Sequence, residues 1–224
     1  MSEKLSFPAK NGSSATGEIV WPKQAGKAPA VVLIQEWWGL NDHIRSLLDR
    51  LGAAGFIALA PDLYHGKVTS DPTEANRLMT ELDKPGALEE IAGAARFLAA
   101  HERSNGKVGV MGFCMGGALS FAAAATVPEL AAVVPFYGVP SPAPDYARVK
   151  APILAHFAAR DAWATPAAAE AIRKELTARG QSMELHVYDA DHAFANDTRP
   201  EVYNPDAAKI AWERSIEFLK QHLG

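Results

Sequence analysis

The chain has 224 residues, 48% hydrophobic and 21% charged, the length and balance of one domain that can bury a sheet between two helix layers. Its formal charge of −4, with no basic run and no interleaving of aromatic and basic residues, argues against nucleic acid as a partner. Apolar runs such as 28–34 are too short to span a bilayer, so no membrane segment is expected.

In chain order, Leu5–Phe7 and Gly17–Trp21 flank a Gly/Ser/Asn segment and predict an edge hairpin. Ala30–Gln35 is a continuous apolar run, the pattern of a strand buried on both faces. Asn41 can cap a helix to about Ala54, and Gly55 can end the connection behind it. Phe56–Ala60 is the next strand, stopped by Pro61, and 64–72 reads as a loop. Helices follow over roughly Thr73–Leu82 and Ala87–Glu102. Lys107–Met111 is a strand, and a helix starts just after Cys114. Leu130–Phe136 is a strand, and Pro140, Pro142 and Pro144 stiffen the loop beyond it. Pro152–Phe157 is a strand, and Pro166 opens a helix to about Arg179 in the first-turn place that proline favours. Met183–Tyr188 is the last strand, and a final helix from near Pro205 to His222 shows an apolar face with Ile210, Ile216, Phe218 and Leu219. Strands alternating with helices predict an α/β fold, one domain over 1–224 with a mostly parallel central sheet and helices on both faces.

The segment Gly112-Phe113-Cys114-Met115-Gly116 has the G-x-S-x-G pattern of a nucleophile elbow, with cysteine in place of serine. A nucleophile there sits on a strained strand-to-helix turn, and the flanking glycines let strand and helix approach without Cβ clashes. The helix N-terminus behind it favours a thiolate and a developing oxyanion. A lone cysteine is more often a small buried hydrophobe, but this setting favours the reactive reading. The turn lacks a phosphate-cradling glycine pattern, so no nucleotide cofactor is expected.

After such a nucleophile the order is acid, then histidine. Asp161 follows the strand ending at Phe157, and His192 follows the last strand. His192 can take the thiol proton, and Asp161 can fix its tautomer. His43 and His65 fall in loops near the expected site and are possible lining residues. Asp189, Asp191 and His192 resemble metal ligands in composition only, and no ligand spacing supports a metal.

The chain resembles the dienelactone hydrolase family over nearly its whole length. The resemblance rests on Gln35-Glu36-Trp37-Trp38-Gly39-Leu40-Asn41, on Pro61-Asp62-Leu63-Tyr64, on the elbow through Gly117, and on Asp191-His192-Ala193-Phe194-Ala195. It implies a single-domain α/β-hydrolase that opens dienelactone, with Cys114, Asp161 and His192 as its triad. It further implies that Glu36 partners the thiol at rest, and that the N–H groups of Trp37 and Met115 form the oxyanion hole. Where family members hold the substrate carboxylate with an arginine four residues past the histidine, this chain has Asn196. A second family arginine falls in 64–82, where Arg77 is the sole candidate. Trp38, Tyr64, Arg77, Phe113, Phe194 and Asn196 are the candidate substrate contacts, and the tryptophans suggest a more apolar substrate.

The expected function is cleavage of a small ester or lactone through a thioester acyl-enzyme, with no cofactor. A non-catalytic small-molecule-binding protein on the same fold, or a thiol redox protein using Cys114, are the alternatives. With one cysteine and no apolar leader in Met1–Lys10, the protein is expected in the cytoplasm, as a monomer or a dimer.

Overall fold

The computed structural model describes residues 2–9 and 13–224. Its strands are β1 (Glu3–Pro8), β2 (Ser14–Val20), β3 (Ala28–Ile34), β4 (Ile57–Pro61), β5 (Ser104–Phe113), β6 (Leu130–Phe136), β7 (Ile153–Ala158) and β8 (Met183–Tyr188). They form one eight-stranded sheet in the order β1-β2-β4-β3-β5-β6-β7-β8. β1 and β2 pair antiparallel, as does β2 with β4, and every later pairing is parallel. The turn of the expected edge hairpin includes 10–12, outside the described residues.

The helices are α1 (Asp42–Ala53), α2 (Pro72–Glu81), α3 (Lys84–Ala100), α4 (Met115–Thr126), α5 (Pro166–Ala178) and α6 (Pro205–Leu223). β3 shows why the layers form. Val32 and Ile34 face a core shared with Ile91 and Leu98 of α3, Leu119 and Phe121 of α4 and Leu176 of α5. Val31 and Leu33 face the other way, against Ile44, Leu47 and Leu48 of α1 and Leu219 of α6. A strand that is apolar on both sides needs a helix layer on both sides. Among the described residues no helix is long and apolar enough to cross a membrane.

Several elements start earlier than the sequence suggests. β5 begins at Ser104, and α3 begins at Lys84 with Pro85 in its first turn, where a missing N–H costs nothing. A turn of 3-10 helix, Tyr146–Arg148, lies inside the proline-rich loop, and the Asp145 carboxylate accepts from the Ala147 N–H. Asn41 caps α1 as expected, its side chain accepting from Ile44 N at 3.2 Å.

The β5–α4 junction positions the site. Cys114 has φ 55 and ψ −115, a left-handed conformation that is costly for a side chain with Cβ. Close packing imposes it. A Cβ on Gly112 would stand 2.1 Å from Gly116 O, and one on Gly116 would stand 2.4 Å from Ile34 O. Gly112→Ala is therefore expected to lower stability by about 1–3 kcal/mol, measured by urea unfolding. Unchanged stability would show that the junction relaxes freely.

Candidate active site

Three strand ends converge. Cys114 follows β5, Asp161 lies three residues past β7, and His192 lies four past β8. The ends of parallel strands are where an open α/β sheet gathers side chains from separate loops. Cys114 Sγ lies 3.2 Å from His192 Nε2, and His192 Nδ1 lies 2.5 Å from Asp161 Oδ2. Cys114 is the N-cap of α4 and makes no side-chain cap bond, so its thiol is free to face His192.

Asp161 is buried, and its Oδ1 accepts from the Trp163 and Ala164 N–H groups at 2.8 and 2.9 Å. Burial by itself would raise its pKa. The hydrogen bond and charge of His192, with those two N–H groups, reverse this and hold the carboxyl below the usual carboxylate range. For His192, burial opposes the charged imidazole. The hydrogen bonds and charges of Asp161 and Cys114 outweigh burial and push its pKa up to about 10.

These shifts have opposite consequences for stability. The His192 contribution is complete below its unfolded value near 6.5 and is lost as pH rises through about 10. The Asp161 contribution is present above its unfolded value near 3.8 and is lost as pH falls through its lower folded value. Thermal unfolding should show Tm falling between about pH 6.5 and 10, and this part of the slope should vanish in His192→Ala. Parallel slopes in the two proteins would contradict the assignment.

Glu36, 1% exposed, lies just past the end of β3. Its Oε2 accepts from Asn196 Nδ2 at 2.7 Å, and its Oε1 accepts from the Tyr137 hydroxyl at 3.4 Å. The expected resting contact between Glu36 and the thiol is thus not the arrangement seen: the thiol faces His192, and the carboxylate is held by its own donors. Asn196 is held in turn, its Oδ1 accepting from Thr198 N at 3.0 Å and Thr198 Oγ1 at 2.6 Å.

Other candidates separate into mouth and support. Trp37 is half-buried beside the site, and Trp38 meets it edge-on with ring centroids 4.9 Å apart. Arg199 lies over the Trp38 ring at 5.5 Å. The Tyr64 hydroxyl donates to Met115 Sδ at 3.3 Å. The Met115 N–H belongs to the first turn of α4, where a helix leaves donors without intrahelical acceptors. Phe113, Phe194 and Asn196 are at most 1% exposed. Such burial leaves no surface for a ligand, so they back the site rather than line it: Phe113 stacks on Phe136 at 4.4 Å, and Phe194 packs on Tyr137. Arg77 is likewise spent elsewhere, on α2, bonded to Glu74 at 2.7 and 2.8 Å and to Glu81.

His43 is buried against Phe113, its Nδ1 3.3 Å from Asp197 Oδ1, and His65 pairs with Glu90 at 2.9 Å. Asp189 and Asp191 both bind Arg160. Among the described residues no group of three or more His, Cys, Asp or Glu side chains is arranged to hold a metal.

Two residues at the site were not expected. Tyr137 is buried at φ 34, its ring 5.2 Å from the His192 ring. Its one signal was its place directly after β6, before Gly138. Trp163 lies two residues beyond Asp161, edge-on to His192 at 5.3 Å and 82°. Its signal was a large aromatic in a loop already assigned an acidic role.

A mostly parallel sheet with a strained turn between β5 and α4, and an acid and a histidine on later strand ends, defines the α/β-hydrolase class. The chain belongs to the dienelactone hydrolase family, whose model matches residues 16–223. It is 38% identical to protein usf of Aquifex pyrophilus, with 96% of each chain covered. It is 31% identical to a Bradyrhizobium protein named as a probable 2-oxo-3-(5-oxofuran-2-ylidene)propanoate lactonase, covering 95% of this chain and 92% of that one. A crystal structure of a provisionally named dienelactone hydrolase from Klebsiella pneumoniae superposes with TM-score 0.88 at 30% identity, covering 99% and 98% of the two chains. The protein is accordingly a hydrolase acting on esters or lactones.

Proposed function

We propose that the protein cleaves a small ester or lactone through Cys114, by way of a thioester acyl-enzyme. The observation that carries this reading is the unbroken chain of contacts from Cys114 Sγ to His192 Nε2 at 3.2 Å and from His192 Nδ1 to Asp161 Oδ2 at 2.5 Å. His192 takes the thiol proton, and the sulfur attacks the carbonyl carbon. The Trp37 and Met115 N–H groups hold the oxyanion. The C–O bond then breaks, His192 protonates the leaving alkoxide, and a thioester remains on Cys114. Water, deprotonated by His192, attacks the thioester and releases the acid, and the thiol regains its proton. Asp161 orients His192 and stabilises its charged form.

The named substrate of the Bradyrhizobium relative, an unsaturated lactone, supports testing lactones first. Asn196 stands where family members are expected to carry an arginine, and it is buried against Glu36, so it offers no cation to a substrate carboxylate. Half-buried Trp37 beside the site favours a less acidic substrate than dienelactone, with buried Trp38 packed behind it. A lone thiol also fits a reducing compartment such as the cytoplasm.

The experiment is to mix the protein with p-nitrophenyl acetate, quench early, and locate the acetyl group by peptide mass spectrometry, with dienelactone turnover measured in parallel. The expected result is acetyl on Cys114 that disappears as ester is consumed. Turnover with the label on another residue would sink the mechanism.

A further inference from the structure

Trp163 is 75% exposed, more than any other large hydrophobic residue among those described, and it stands beside the group that handles the leaving oxygen. Its backbone is anchored. The Trp163 N–H donates to Asp161 Oδ1 at 2.8 Å, so the contact that sets the acid also sets this residue's backbone. Its ring meets His192 edge-on at 5.3 Å and lies tilted to the Trp37 ring at 6.5 Å and 55°. Trp37 is the residue whose N–H is assigned to the oxyanion. The Trp163 indole therefore stands next to both the proton donor and the Trp37 ring, with three quarters of its surface open to solvent. An indole this exposed beside the site has unfilled contact area suited to a flat, apolar ring.

The side of the substrate follows from the chemistry. In acylation the leaving oxygen must reach His192 Nε2 to be protonated, so the alcohol portion of an ester passes His192 and the ring against it. We propose that Trp163 is a specificity-determining residue for the leaving group, and that it selects esters of planar aromatic alcohols over aliphatic ones. This rests on the Cys114 mechanism above and goes beyond it. A residue that reads the alcohol should weigh more on acylation than on hydrolysis of a given acyl-enzyme.

The test compares phenyl acetate with 2,2,2-trifluoroethyl acetate, which form the same acetyl-enzyme and differ in the alcohol. Trp163→Ala is expected to lower kcat/KM for phenyl acetate about tenfold and to change that for trifluoroethyl acetate less than about twofold. Phenol, used as an inhibitor of trifluoroethyl acetate hydrolysis, should bind about tenfold more weakly to the variant. Trp163→Phe should restore most of both losses. An equal fall on the two esters would overturn the inference, because it would mean that the indole only supports His192. No change on either ester would overturn it as well. Failure of the underlying mechanism looks different: the acetyl label would then lie on a residue other than Cys114, whatever the ratio of the two esters, and the inference would fall with it.

Discussion

Cys114→Ala should lose ester hydrolysis by at least about 10³-fold while remaining folded. The sulfur is the only atom in the proposed site that bonds to the acyl carbon, and no second thiol exists in the sequence to replace it. The fold should tolerate the change. Cys114 is only partly buried, its side chain caps nothing, and alanine suffers the same φ of 55. The parallel measurement is Tm, expected to move by no more than a few degrees. A folded variant with wild-type turnover would exclude Cys114 as nucleophile. A variant that fails to fold would be replaced by Cys114→Gly, which removes the nucleophile and accepts φ 55 without strain.

Asp161→Asn should lower kcat by about 10³–10⁴-fold with much less effect on KM. The substitution keeps shape and retains an oxygen for the Trp163 and Ala164 N–H groups. It places an amide where Oδ2 now accepts from His192 Nδ1. The imidazole would then accept at Nδ1 and carry its proton on Nε2, aimed at the thiol it must deprotonate. It would also lose the carboxylate that helps to push His192 up to about 10. Alkylation of Cys114 by iodoacetamide near pH 7 should slow in the same variant, which ties the loss to thiol activation rather than to substrate binding. A kcat within about tenfold of wild type would show that His192 needs no orienting acid here.

Cys114 was legible because its signal is local. An elbow needs glycine at fixed offsets from its nucleophile, and Gly112 and Gly116 stand where a Cβ would strike Gly116 O and Ile34 O. Asp161 and His192 were legible from chain order and from their places just past apolar strands. Arg77 was misplaced although its neighbours gave notice: Glu74 and Glu81 stand three residues before and four after it, the spacing of helix-surface ion pairs. Phe113, Phe194 and Asn196 lie beside site residues in sequence, but the chain's path turns their side chains into the protein.

The partners of Glu36 show where local reading ends. Asn196 lies 160 residues away and Tyr137 lies 101 away, and both meet Glu36 because β3, β5, β6, β7 and β8 stand side by side. Trp163 reaches His192 for the same reason, since β7 and β8 are adjacent. By itself the sequence determined the alternation of strands and helices, the strained turn at Cys114 and the chemical types of the groups around it, because these depend on hydrophobic period, glycine spacing and side-chain chemistry. The tertiary structure decided which donor holds Glu36, which way the thiol faces and which ring flanks His192. Those contacts depend on strand order and loop path, which a linear pattern of residues does not encode.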